Sequence, residues 1–197
     1  QWLGKLPAAG LGECDFLTGS AHKFGGPKGV GFLKVRGPFR WLKGGPQEER
    51  RRAGTENLPG IAAMVAALEA REAALAAQPP GLEFRNAFET LVQRGIPGTH
   101  IVAGTSPRLW NTSLLVLPSH ANVKWLARLS RMGFEVSTGS ACSSGGGASE
   151  VLAAMGLPED ALRRVIRVSA LPEHSEEDWL ALAAAMAEVH ASLRDSD

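Results

Sequence analysis

Thr18-Gly19-Ser20-Ala21-His22-Lys23-Phe24-Gly25-Gly26-Pro27-Lys28-Gly29-Val30-Gly31 is the stretch on which the reading of this chain turns. It sets a serine, a histidine and two lysines among five glycines, directly after Cys14-Asp15-Phe16-Leu17-Thr18, which suits a short buried strand. Hydroxyl, imidazole and backbone N–H donors can converge on an anion in such a loop. A lysine that attacks an aldehyde must spend time deprotonated, and nearby cations or desolvation favour that form. Here an apolar strand end and basic neighbours supply both. The same run also reads as a plain turn with a solvated lysine. It is not a nucleotide-binding Walker loop, because the Gly-Lys-Ser/Thr ending is missing.

Outward from this loop, Val30 to Val35 reads as a second strand, closed by Arg36-Gly37-Pro38. Residues 43 to 57 are polar and turn-rich. Leu58 to Ala77 follows as an Ala-rich helix with Asn57 as its N-cap and Pro59 in the first turn. Gln78-Pro79-Pro80-Gly81 ends that helix and marks the expected domain boundary, giving domains 1–80 and 81–197. Beyond it we expect a helix over 83–94, an extended segment over 100–103, a strand over 114–117 and a helix over 121–132. A short strand over 134–137 should run into a second Ser/Gly-rich loop, 138–147. Helices over 150–155 and 159–164, a strand over 165–169 and a helix over 176–193 complete the chain. Ser175 and the acidic residues 176–178 supply the last helix with an N-cap and a favourable first turn. Alternating strands and helices argue an α/β or α+β fold.

Composition limits the function. Among 197 residues, 21 basic side chains face 20 acidic ones, so no sequence-wide footprint for nucleic acid or a membrane surface exists. No apolar run has the length of a membrane span, and residues 1–6 do not form a signal peptide, so the expectation is a cytoplasmic protein. Two cysteines are too few for a disulfide framework. Cys142 sits among Ser140, Ser143, Ser144 and glycines that do not build a core, which marks it as the exposed thiol. Cys14, beside Asp15 and Phe16, is expected to be a buried structural thiol. The remaining histidines show no metal-ligand spacing, so no metal is assigned. The five tryptophans are dispersed and read as packing residues.

Several segments together carry a resemblance. Asp15 to Gly31, Gly44-Gly45-Pro46-Gln47-Glu48, Arg52-Ala53-Gly54-Thr55-Glu56-Asn57, Asn111-Thr112-Ser113, Ser137 to Gly145 and Ile166-Arg167-Val168-Ser169 stand in order over nearly the whole chain. In this pattern the chain resembles the cysteine desulfurases of the class V aminotransferase family. The resemblance implies a pyridoxal 5'-phosphate (PLP) enzyme of transferase fold type I, with residues 1–80 finishing the large cofactor domain and 81–197 forming the small α+β domain. It implies that Lys23 holds the cofactor covalently and moves the substrate α-proton, and that Ser20 and His22 bind its phosphate. The resemblance also implies that Thr55 reaches the phosphate in the other subunit of a homodimer, that Gln1 bonds the phenolic oxygen, and that Arg167 holds the substrate carboxylate. It implies further that Cys142 takes the sulfur of L-cysteine as a persulfide, leaving alanine, and passes it to an acceptor protein, as in iron–sulfur cluster biogenesis.

Within the same family the alternatives are another class V aminotransferase or a selenocysteine lyase. Outside catalysis the alternative is a remnant or assembly module. The family's Asp-x-x-Gln aspartate would precede Gln1, so the resemblance also implies a C-terminal half that needs a missing N-terminal half for activity. Pro46 stands where the family has a third glycine, and Leu171-Pro172 replaces a Gly-Arg pair.

Overall fold

A computed structural model describes residues 2–37, 44–77, 81–138 and 149–195. Gln1 and Cys142 therefore lie outside the described residues. The chain divides into two compact units, Gln1–Pro80 and Gly81–Asp197.

In the first unit, β1 (Phe16–Ser20) and β2 (Gly31–Val35) pair antiparallel, with Thr18 opposite Leu33 and Ser20 opposite Gly31. Close approach explains the glycines here: a Cβ at Gly19 would strike the Phe32 ring. Helix α1 (Leu58–Ala77) follows, and Asn57 caps it by accepting from the Gly60 N–H at 3.2 Å. Leu3, Ala21, Phe24 and Met64 form the buried core of this unit, with Leu11, Val30, Phe32 and Leu68 packed on it. Ala21 and Phe24 flank Lys23 in sequence and are 0% and 4% exposed, so the lysine turn is nailed to the core on both sides. The segment before α1 carries an unusual backbone. Glu48, Glu49 and Arg50 all have positive φ, 50°, 59° and 68°, and make one left-handed turn rather than a right-handed helix.

The second unit holds α2 (Leu82–Gly95), β3 (His100–Ile101), β4 (Thr112–Val116), α3 (Asn122–Arg131), α4 (Glu150–Ala154), α5 (Glu159–Leu162), β5 (Val165–Ser169) and α6 (Glu176–Arg194). The strands form an antiparallel sheet in the order β3-β4-β5. Its core joins Phe88, Val92 and Ile96 of α2 to Leu115 of β4, Trp125 and Leu129 of α3, Ile166 of β5, and Trp179, Met186 and Leu193 of α6. Phe88 and Trp179 meet at 5.2 Å in a tilted pair. Each fully buried side chain of this kind contributes about 1.5–3 kcal/mol. Ser175 and Asp178 close a reciprocal capping box at the start of α6, as the sequence leads one to expect.

Three expectations need correction. Residues 134–136 are not a strand; Ser137 alone makes a bridge, to Arg167. Phe134 and Val136 instead turn toward the core as partly buried packing residues. Cys14 is half-buried rather than buried, because β1 starts two residues later and Cys14 ends the 3-10 turn Leu11–Glu13. Phe16 beside it is 61% exposed. Trp2 is also no packing residue: it is 47% exposed, and its indole N–H donates to the Pro7 carbonyl. Trp110, Trp125 and Trp179 are buried.

Candidate functional site

β1 ends at Ser20, and the chain turns at once through a single 3-10 turn, Ala21–Lys23. The turn is closed from inside. Both the Phe24 and the Gly26 N–H donate to the Ala21 carbonyl, at 3.0 and 2.9 Å, and the Ala21 N–H donates back to Val30. Gly25 takes φ +90°, and a Cβ at Gly26 would lie 2.8 Å from the Ala21 Cβ, so these two glycines are required by the turn itself. The polar side chains point the other way. Ser20 and His22 are exposed and Lys23 is half-exposed. None of the three side chains makes a hydrogen bond or ion pair among the described residues.

One neighbour of this turn is absent from the sequence reading. Lys5 reaches across 18 residues and donates from Nζ to the Lys23 carbonyl at 2.9 Å. Burial first, then the charges of Lys23 and Arg71, lower the Lys5 pKa below the ordinary lysine value. Arg71 of α1 lies against the same place: a Cβ at Gly4 would be 3.3 Å from its side chain and one at Gly25 3.5 Å. No motif flags Lys5. The fold alone brings it there, from an early turn in which the Lys5 and Leu6 N–H groups both donate to the Trp2 carbonyl.

Thr55 is exposed in the segment before α1, and its side chain has no link to the Lys23 turn among the described residues. Around it Arg52 donates to the Ala53 and Gly54 carbonyls at 3.1 and 2.6 Å and pairs with Glu48 at 3.5 Å. A cleft of about 810 Å³ opens between this segment and β1–β2, lined by Thr18, Phe32, Leu33, Glu48 and Arg52, and it does not include Lys23.

Arg167 belongs to the second unit. It lies on β5 opposite Leu114, between the buried Ile166 and Val168, with its own side chain half-exposed. Its backbone exchanges two hydrogen bonds with Ser137, from the Ser137 N–H at 3.1 Å and to the Ser137 carbonyl at 2.7 Å. Asn111 braces the end of the same strand, donating from Nδ2 to Ala170 and accepting at its carbonyl from the Ala170 N–H, both at 2.8 Å. Behind β4, Glu89 of α2 accepts two bonds from Arg108, at 2.7 and 2.9 Å, and one from the Ser113 hydroxyl at 2.7 Å. Although burial alone would raise it, these donors and the Arg85 and Arg108 charges lower the Glu89 pKa. No local sequence pattern marks this cluster as a whole, because its members lie 19 and 24 residues apart. The available signal was Arg85 and Glu89, charged and four apart on the apolar stripe of a helix.

The described residues thus bring Ser20, His22 and Lys23 together on one turn, set Thr55 apart in the same unit, and place Arg167 in the other. Among the described residues no helix is long and apolar enough to cross a membrane.

Comparison with known proteins supplies the context. The family model "Aminotransferase class-V" matches residues 11–182. A cysteine desulfurase of Klebsiella pneumoniae is 40% identical over 174 residues, which are 86% of this chain and 44% of the relative. One from Rhodobacter capsulatus is 36% identical over 200 residues, 98% of this chain and 52% of the relative. The structure superposes on a solved NifS-like protein with a TM-score of 0.82 at 29% identity, covering 97% of this chain and 50% of the other. A NifS-like protein from Rickettsia africae gives 0.79 at 27% identity, covering 96% and 51%. The chain spans about half the length of the curated relatives it matches.

Proposed function

The chain belongs to the class-V aminotransferase family, and from that premise we propose that it is the cofactor-lysine and loop-cysteine part of a PLP-dependent cysteine desulfurase. The observation that carries the reading is the turn at Lys23: a core-anchored loop that presents a hydroxyl, an imidazole and an amine with no partners of their own among the described residues. That donor set fits a phosphorylated aldehyde, with Ser20 and His22 for the phosphate and Lys23 for the carbonyl carbon. When bound, the pyridine ring of such a cofactor supplies an electron sink for carbon-centred chemistry.

The chain's own residues then divide the work. Lys23 binds the cofactor and carries the substrate α-proton on Nζ. Arg167 orients L-cysteine, since its planar guanidinium matches a carboxylate bidentately. Gln1 donates to the cofactor's phenolic oxygen, and Thr55 serves the phosphate of a second copy in a homodimer. At Cys142 a thiolate takes the sulfur: the substrate C–S bond breaks, an S–S bond forms on the enzyme, and the carbon gains a proton to give alanine. Residues 1–80 act as the end of the cofactor domain and 81–197 as the smaller domain. The persulfide passes to an acceptor protein, and the setting is cytoplasmic.

The test is the whole protein supplied with L-cysteine and PLP. Alanine and enzyme persulfide should form in equal amounts, and Cys142→Ser should stop persulfide formation while leaving the cofactor bound. Amino-group exchange with a 2-oxo acid, without sulfur release, would instead make it a transaminase.

A further inference from the structure

Lys5 has no part in the family motifs quoted above, yet it makes a specific contact with the turn that carries Lys23. Its Nζ donates to the Lys23 carbonyl at 2.9 Å in a partly buried position. A three-residue 3-10 turn cannot satisfy its own last carbonyls, so this oxygen needs an outside donor. The Gly4 backbone also lies against the Phe24 side chain. Gly4 has φ +73°, and a Cβ there would sit 2.9 Å from the Phe24 Cβ, so residues 2–6 and 21–26 are fitted together with no slack. A neutral donor would serve the carbonyl equally well. Lys5 does so from a partly buried place beside Lys23 and Arg71, where burial first and then those two charges lower its pKa.

Resting on the reading that Lys23 is the cofactor amine, we propose that Lys5 is a positioning residue, whose bond to the Lys23 carbonyl fixes the turn from which the reactive side chain departs. Its effect reaches the chemistry only through Lys23.

The loop contains its own standard for a test. Lys28 is exposed, five residues on, and cleavage after glutamate leaves it in one peptide with Lys23, since no glutamate lies between Glu13 and Glu48. The whole protein is treated with PLP, reduced with borohydride, digested, and the ratio of Lys23 to Lys28 labelling is read by mass spectrometry. In the unsubstituted chain Lys23 should dominate. Lys5→Met should lower the ratio about fivefold, the worth of one net hydrogen bond. Lys5→Arg, which keeps a charged donor, should restore it. Circular dichroism should be unchanged in both variants. A ratio unmoved by Lys5→Met, or lowered without rescue by Lys5→Arg, overturns the role of Lys5. If the unsubstituted chain shows no preference for Lys23 over Lys28, the reading of Lys23 falls instead, and the proposal falls with it.

Discussion

Ser137 and Arg167 exchange both of their backbone hydrogen bonds, at 3.1 and 2.7 Å. Among the described residues this is the one isolated bridge to β5, and it joins the residue just before the Ser/Gly-rich segment to the strand that carries the proposed substrate arginine. The backbone at Ser137 is thereby registered against β5 without any side chain. Ser137→Ala should accordingly be neutral, whereas Ser137→Pro removes the N–H donor and should cost about 1–3 kcal/mol. Chemical denaturation of the two variants checks the contrast. Equal effects would show that the serine hydroxyl, and not the backbone, matters.

Glu89 is 8% exposed and faces both Arg85 and Arg108. Glu89→Gln keeps the shape but leaves two guanidinium groups without a countercharge. Breaking a buried pair from one side costs about 3–5 kcal/mol, and the melting transition should fall accordingly. Replacing Glu89 by Leu together with Arg108 by Met should recover part of the loss, since the pair itself carries a desolvation cost.

The pH dependence follows from two groups. His190 stacks on Trp125 at 6.0 Å, and burial first, then Arg194 and His120, lowers its pKa. The unfolded chain therefore takes up this proton before the folded one does. Stability contributed by neutral His190 is full above the ordinary histidine value and is lost as pH falls below about 6.5. The Glu89 pKa is also lowered, so its contribution is present above the ordinary glutamate value and is lost as pH falls through the lower folded value. Melting scans should show a first decline below about pH 6.5, removed by His190→Gln, and a second below about pH 4, removed by Glu89→Gln.

Gly26 offers a test of the lysine turn. A Cβ there would meet the Ala21 Cβ at 2.8 Å and the Ala21 carbonyl oxygen at 3.2 Å, beneath a residue with no exposure. Gly26→Ala should cost about 1–3 kcal/mol by overpacking and weaken cofactor retention. Gly29→Ala meets nothing within 4 Å, although its φ of +79° adds a smaller backbone cost.

Much of the fold is legible in the sequence because the signals are local. The Ser175–Asp178 box, the Asn57 cap and the strand over 165–169 depend on residues within one turn or one ladder of each other. The segment 134–137 fails for a tertiary reason: its apolar residues pack on the core while only Ser137 finds a strand partner. The site residues divide in the same way. Ser20, His22 and Lys23 are visible as one run, but Lys5 and the Glu89–Arg108–Ser113 cluster exist only once distant segments meet. Left-handed backbone at Glu48, Glu49 and Arg50 has no sequence signal at all, since none of the three is a glycine or asparagine.

The proposed role of Lys23, the amine that takes the cofactor, is read directly by peptide mapping of the protein after PLP treatment and borohydride reduction. One dominant modified lysine, Lys23, is expected, and none at stoichiometric level in Lys23→Ala. A label spread evenly over surface lysines, or one retained at full stoichiometry in Lys23→Ala, would contradict it.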